Sequence, residues 1–128
     1  MRYLRSLSRI RVLNLVGTKI TDMGLSRLKK LTNLYRLHLD DTGISDVGLS
    51  HLVHLKTLKV LTMNHTKITD KGVGTLQKLN GLRILRIVGT KISPKAFDAL
   101  RKSLPTTEII TKELSIVDDS GIFNPKSH

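Results

Sequence analysis

Four side chains near the middle of the chain are of types that do chemistry: His38, Asp40, Asp41 and His65. Two imidazoles and two carboxylates are suitable ligands for a zinc ion. His38 and Asp40, however, stand two residues apart in what reads as a strand, so they project about 7 Å from one another. An open sheet offers no outer groups to orient them. No metal is assigned. Gly17-Thr18-Lys19 and Gly89-Thr90-Lys91 look superficially like phosphate loops, but they lack the spacing G-x-x-x-x-G-K-[ST] that cradles a phosphate. Gly72-Val73-Gly74 lacks the third glycine of a dinucleotide turn. Thr18, Thr42, Thr66 and Thr90 invite comparison with a catalytic threonine, yet catalysis needs one activated residue and this one occurs four times. Cysteine is absent, which excludes a thiol nucleophile, a zinc-thiolate site, an iron–sulfur cluster and a disulfide scaffold. The expectation is a protein without enzymatic activity, catalytic residues, metal or cofactor.

The recurrence of those threonines leads to the elements that carry them. The chain of 128 residues is self-similar at a step of 24. Ile10, Leu34, Leu58 and Leu82 share a phase. So do Leu13, Leu37, Leu61 and Leu85; Leu15, Leu39, Met63 and Ile87; and Ile20, Ile44, Ile68 and Ile92. The second half of the unit agrees through Met1, Leu25, Leu49 and Val73; Leu4, Leu28, Leu52 and Leu76; and Leu7, Leu31, Leu55 and Leu79. All 28 of these sites are apolar in a chain that is 39% hydrophobic. Chance gives that about once in 10^11 trials. Polar residues keep the same beat: Thr21, Ser45, Thr69 and Ser93 are each followed by Asp22, Asp46, Asp70 or Pro94, and then by Gly24, Gly48, Gly72 or Ala96.

The pattern L-x-x-L-x-x-L-x-L-x-x-T-x-I-[TS]-D-x-G-[LV]-x-x-L-x-x resembles the leucine-rich repeat over residues 1 to about 110. Its I-T-D-x-G-L segment resembles the cysteine-containing subclass found in F-box-type receptors, with Thr where that subclass has Asn or Cys. The resemblance implies an α/β fold: a right-handed solenoid forming a segment of a horseshoe, with short parallel strands on the concave face and short helices on the convex face. It also implies a protein–protein interaction module. An F-box-like adaptor role would need domains that this chain does not contain.

The spacing supports the same architecture independently. In Val12-Leu13-Asn14-Leu15-Val16 the leucines alternate with residues facing the other way, the period of a strand. Leu25, Leu28 and Leu31 return at three-residue steps, one side of a short helix. Ser or Thr sits where a helix cap is wanted, and the following Asp suits the helix dipole. Pro94 takes the first helical position of the fourth unit, where its missing N–H costs nothing. The recurrent Thr is read as a buried row of hydroxyls satisfying loop amides.

The repeat domain is placed at residues 1–112, with a half repeat at 1–9, units starting near 10, 34, 58 and 82, and a terminal strand near 108–111. Residues 113–128 are read as a cap and flexible tail, with Lys112 to Val117 folding back. The chain begins in the helical half of a unit, which suggests either a short cap helix or a piece of a longer array; the second is preferred. An open N-terminal edge around Val12 to Val16 is then a candidate for pairing two copies. No run of apolar residues is long enough to span a membrane. The basic N-terminus lacks the apolar stretch of a secretory signal, so an intracellular, cytoplasmic location is expected.

The formal net charge is +12, and it belongs to the repeats: residues 1–102 hold 20 basic and 6 acidic residues. Lys30, His54, Lys78 and Lys102 share one phase and form a stripe on the convex side. The plain reading is favourable helix C-terminus chemistry and solubility. The alternative is a binding stripe for nucleic acid or an anionic surface, although no helix-turn-helix, zinc finger or aromatic platform accompanies it.

The candidate partner site lies on the sheet. Tyr35, Arg36, His38, Asp40, Asp41, Thr62, Asn64, His65 and Arg86 form a mixed patch in the middle units. The flanking units offer Val12, Val16, Ile84 and Val88. Arg and Tyr beside exposed apolar residues suit a protein or peptide partner. Ordinary solvated sheet is the plain alternative.

Overall fold

Alternation at Leu13 and Leu15, and at their equivalents, produces one three-residue strand in each 24-residue coil. The computed structural model describes residues 8–112 in full and the backbone of Ile116–Val117 and Phe123–Asn124. Residues 1–7, and with them Met1, Leu4 and Leu7, lie outside the described residues, as does most of the segment read as a tail. The strands are β1 (Val12–Asn14), β2 (Arg36–His38), β3 (Val60–Thr62), β4 (Ile84–Arg86) and β5 (Glu108–Ile110). They form a single parallel sheet in chain order. The register is Leu13 to Leu37, Leu37 to Leu61, Leu61 to Leu85 and Leu85 to Ile109, so each coil is laid on the next with a step of 24 residues. Backbone pairing outlasts the strands: Gly17 donates to Asp40, Asp41 to Asn64 and His65 to Val88. Ile116–Val117 and Phe123–Asn124 pair as a separate antiparallel ribbon.

The expected dry interior runs between sheet and helical turns. Leu37, Leu61 and Leu85 are fully buried, as are Leu39, Met63 and Ile87. Their partners in the first coil, Leu13 and Leu15, are only half-buried against the same cluster. Because each coil covers its neighbour and no coil covers itself, burial grows from the first coil inward.

The helical half is more economical than a continuous α-helix. A single α turn, Asp22–Leu25 or Asp46–Leu49, is followed by a 3-10 stretch at Ser26–Lys30 or Leu52–His54. In the third coil the order reverses, with 3-10 at Asp70–Gly72 before α at Val73–Leu76. The tighter 3-10 form gains more length per residue, which lets a short coil close. Among the described residues only the fourth coil makes a full helix, Pro94–Ser103, with proline in its first turn. Thr21, Thr69 and Ser93 cap their turns by accepting from Gly24, Lys71 and Ala96 amides. Ser45 makes no such cap bond, although its hydroxyl, like that of Thr69, has another use.

That other use is a row of acids joining successive coils. The carboxylate of Asp22 accepts from the Ser45 amide at 2.8 Å and from the Ser45 hydroxyl. Asp46 treats Thr69 identically. Asp70 accepts from the Ser93 amide at 2.6 Å. The amide of Ser93, followed by its hydroxyl, holds the Asp70 carboxyl below its ordinary value of 3.8. The next position in phase is Pro94, and the row stops there. These aspartates therefore stitch the array as well as starting its helical turns. They also explain the recurrent glycine: a Cβ on Gly48 would overlap the Asp22 carboxylate, and one on Gly72 would overlap that of Asp46.

The threonine reading needs correction. Thr18, Thr42, Thr66 and Thr90 donate to the carbonyls of Leu15, Leu39, Met63 and Ile87, at 2.7 to 2.9 Å. Each bond stays within its own coil and serves a carbonyl, not a loop amide. Thr42 and Thr66 are buried, whereas Thr18 is exposed. The hydroxyl closes the turn out of the strand, where the carbonyl has no strand partner.

Candidate functional site

The solvent face of the sheet is built from the strand residues between the buried leucines. Register places Arg36 beside Val12 and Val60, and His38 beside Asn14 and Thr62. Tyr35 lies one residue ahead, its ring 5.7 Å beneath the Arg11 guanidinium. A cation over an aromatic face fixes both side chains weakly at the rim of the sheet.

Two polar pairs span β2 and β3 at the centre. His38 Nδ1 lies 3.0 Å from the Thr62 hydroxyl. Asn64 donates from Nδ2 to Asp40 at 3.1 Å, while its Oδ1 accepts from the Val88 amide at 2.8 Å. Asn64 thereby ties three coils together. Asp40 Oδ1 is buried and has no hydrogen-bond partner among the described residues. Since buried carboxylate oxygens are normally paired, this one marks a locally costly arrangement.

The end of each strand adds a second kind of cost. Gly17, Asp41, His65 and Gly89 all hold left-handed backbone, at φ of 69°, 56°, 57° and 71°. The turn from strand to helical half demands this conformation in every coil. Glycine meets it freely at the two outer positions. Asp41 and His65 meet it with a side chain, against the steric preference of L-residues. The His65 ring lies over Gly89, in the space a Cβ there would fill.

The nine sheet residues do not contribute equally. Arg36, Asp41 and His65 are exposed; Tyr35, His38, Asp40, Asn64 and Arg86 are half-buried. Thr62 is 6% exposed, so it acts by holding His38 rather than by offering surface of its own. Val88 also departs from the expected apolar flank, being buried, while Val12 and Val16 are exposed. His38 and Asp40 bond to neighbours on β3 and beyond, not to each other. Among the described residues no three His, Asp or Glu are grouped to hold a metal ion.

On the opposite side, Lys30, His54, Lys78 and Lys102 are all exposed. Lys30 and His54 fall in the last turn of their 3-10 stretches and Lys102 in the last turn of the long helix. The single ion pair among the described residues joins Arg101 to Asp98 at 3.4 Å. Most cations of the described residues therefore have no acidic partner, because basic residues outnumber acidic ones by 20 to 6 over residues 1–102, and Asp22, Asp46 and Asp70 are engaged by Ser or Thr. No helix of the described residues is long and apolar enough to cross a membrane. Met23 and Val47, 76% and 68% exposed, are not distinguished by the repeat pattern. The signal for them is their shared phase with Lys71 and Lys95.

Comparison with known proteins agrees with this architecture. Residues 32–92 match the leucine rich repeat family. A crystal structure of an internalin C2 from Listeria monocytogenes is 31% identical, with a TM-score of 0.65; the match covers 83% of this chain and 43% of that one. The chain thus spans less than half the length of that relative. Leiomodin-1 actin-binding site 2 matches at 18% identity and a TM-score of 0.66, covering 86% of this chain and 77% of that one. The Chaetomium Mex67:Mtr2 structure matches at 18% identity and a TM-score of 0.65, covering 85% and 87%. No curated protein matches in sequence. With its in-register coils, one parallel sheet and short helical turns, the molecule has the fold of a leucine-rich-repeat solenoid.

Proposed function

We propose that this chain is a non-enzymatic binding module that takes a protein or peptide on its concave sheet. Arg36, Asp41 and His65 would make direct contact, Tyr35, His38, Asp40, Asn64 and Arg86 would border them, and Thr62 would hold His38. The observation that carries the reading is the left-handed backbone at Asp41 and His65. The outer coils use glycine at the same place, so the fold itself does not require side chains there. Backbone strain of this kind persists where a side chain is wanted for another purpose. The test is simultaneous replacement of Arg36, Asp40 and His65 by alanine, followed by capture of partners from native extract and measurement of affinity. Loss of a partner retained by the parent chain supports the reading; unchanged affinity refutes it.

A second reading has its own observation, the scarcity of ion pairs among exposed cations. In it the convex stripe of Lys30, His54, Lys78 and Lys102 binds nucleic acid or an anionic surface. Binding to random DNA or RNA should then weaken steeply with salt, and with Lys30, Lys78 and Lys102 changed to Glu. No binding at low salt removes it. The I-[TS]-D-x-G segments support placement in the cysteine-containing subclass, and a cytoplasmic setting suits the absence of cysteine. Pairing of two copies through β1, the first strand of the sheet, is the oligomeric form this reading allows. Sedimentation across a concentration series would detect it.

A further inference from the structure

The helical side of the array carries a groove that neither reading uses. It is a shallow, open depression of about 770 Å³ between the first two coils. Ile20, Met23 and Val47 supply its apolar side chains, and Lys19 and His51 also line it. It is open because Gly43 occupies the phase that holds lysine in the other coils, at Lys19, Lys67 and Lys91. A Cβ at Gly43 would meet nothing within 4 Å, and its backbone is not left-handed, so the turn does not require glycine. Asp22 also lines the groove, but both its oxygens are engaged by Ser45.

The same face changes character across the array. In phase with Met23 and Val47 come Lys71 and Lys95, both exposed. Parallel bridges from Ser45 to Lys67 and from Thr69 to Lys91 keep these loops side by side in successive coils. Lys67, Lys71, Lys91 and Lys95 form no ion pair among the described residues. The acid nearest them in sequence, Asp70, is bonded to Ser93. One end of this face is therefore apolar and the other is cationic.

We propose that this face is a docking site for an acidic peptide segment with large apolar side chains at one end. The apolar end would fill the groove beside Met23 and Val47, and the carboxylates would meet Lys67, Lys71, Lys91 and Lys95. Charge complementarity selects this occupant. A wholly apolar segment would leave the lysines without counter-charge, and a wholly acidic one would leave Met23 and Val47 exposed to water.

The experiment uses two fluorescein-labelled peptides, one with two leucines preceding four glutamates and one with glutamates throughout. Affinity is measured by anisotropy and the site is located by amide chemical shifts of the full chain. The leucine-bearing peptide should bind more tightly and shift amides around Ile20, Met23 and Val47. Replacing Met23 and Val47 together by serine should weaken it roughly tenfold, the loss expected for one poorly buried leucine, and leave the all-glutamate peptide unchanged. Both side chains are exposed, so the fold tolerates the change. Gly43→Lys adds a cation yet fills the groove, so it should erase the preference for leucine. The Arg36, Asp40 and His65 alanine variant should bind both peptides as before, which separates this site from the concave sheet. Equal affinity for the two peptides, or shifts centred on Arg36 and His38, would overturn the proposal.

Discussion

The imidazole of His65 lies over the Cα of Gly89, one coil further on, in the space that any other residue at 89 would occupy. Gly89 is itself left-handed at φ 71°. Gly89→Ala therefore meets two penalties, backbone strain and displacement of the ring. A loss of about 2 kcal/mol is expected from the strain and overpacking together. A urea titration of the full chain measures it.

The reverse substitution at the neighbouring coils should stabilise. Asp41→Gly and His65→Gly each relieve left-handed strain, with an expected gain of about 1 kcal/mol offset partly by glycine's greater freedom in the unfolded chain. If the concave sheet is the binding surface, the same variants lose affinity. Higher stability with weaker binding is a combination that no purely structural role for these residues produces.

The acid row predicts a coupled pair. Asp46→Ala deprives Thr69 of its acceptor and should cost about 2 kcal/mol. Gly72→Ala should cost a similar amount, about 1–3 kcal/mol, because its methyl group overlaps the Asp46 carboxylate. Combined, the two should cost less than their sum by at least about 0.5 kcal/mol, since Asp46→Ala removes the carboxylate with which the Gly72→Ala methyl collides. Gly74→Ala is the control. Its Cβ would meet nothing within 4 Å, so a gain of about 0.5–1 kcal/mol from helix propensity is expected.

Burial along the array predicts a gradient. Leu61→Ala empties a fully buried site and should cost about 2–5 kcal/mol. Leu13→Ala, in the same phase but half-buried, should cost markedly less. Equal losses at the two positions would contradict the described packing of the first coil.

Acid should act on Asp70 late. Its folded carboxyl titrates below the unfolded value of 3.8 because the Ser93 amide and hydroxyl favour the charged form. The stabilisation is thus present above that unfolded value and is lost as pH falls through the lower, folded one. Carboxyl shifts followed by NMR report the titration directly. Ser93→Ala keeps the amide and removes the hydroxyl, so it should raise the folded value only part of the way.

The apolar beat made the coils, their register and their interior legible in the sequence, because a leucine's phase decides whether a neighbouring coil can cover it. Leu37, Leu61 and Leu85 are the plainest case. The polar beat was harder to read. Asp22 followed by Gly48, and Asp46 by Gly72, carried the signal of a link between coils, but each residue also has an adequate local explanation as a helix starter or a turn. Thr62 shows the same ambiguity on the sheet: alternation assigns the face and cannot say that His38 will cover the hydroxyl. At Asp41 and His65 the repeat identified the position, and only the glycines of the outer coils revealed what backbone it requires.

Pro94 has a consequence for how such a chain can lengthen. It occupies the place where the first three coils keep the acid that latches their successor, and proline offers no group for that purpose. Genetic duplication of a unit upstream of residue 94 would transmit the latch to every new copy. Duplication of the fourth unit would insert a coil held by strand pairing and leucine packing without that latch. Growth by tandem copying is therefore mechanically directional, favouring additions within the array over additions beyond its final helix.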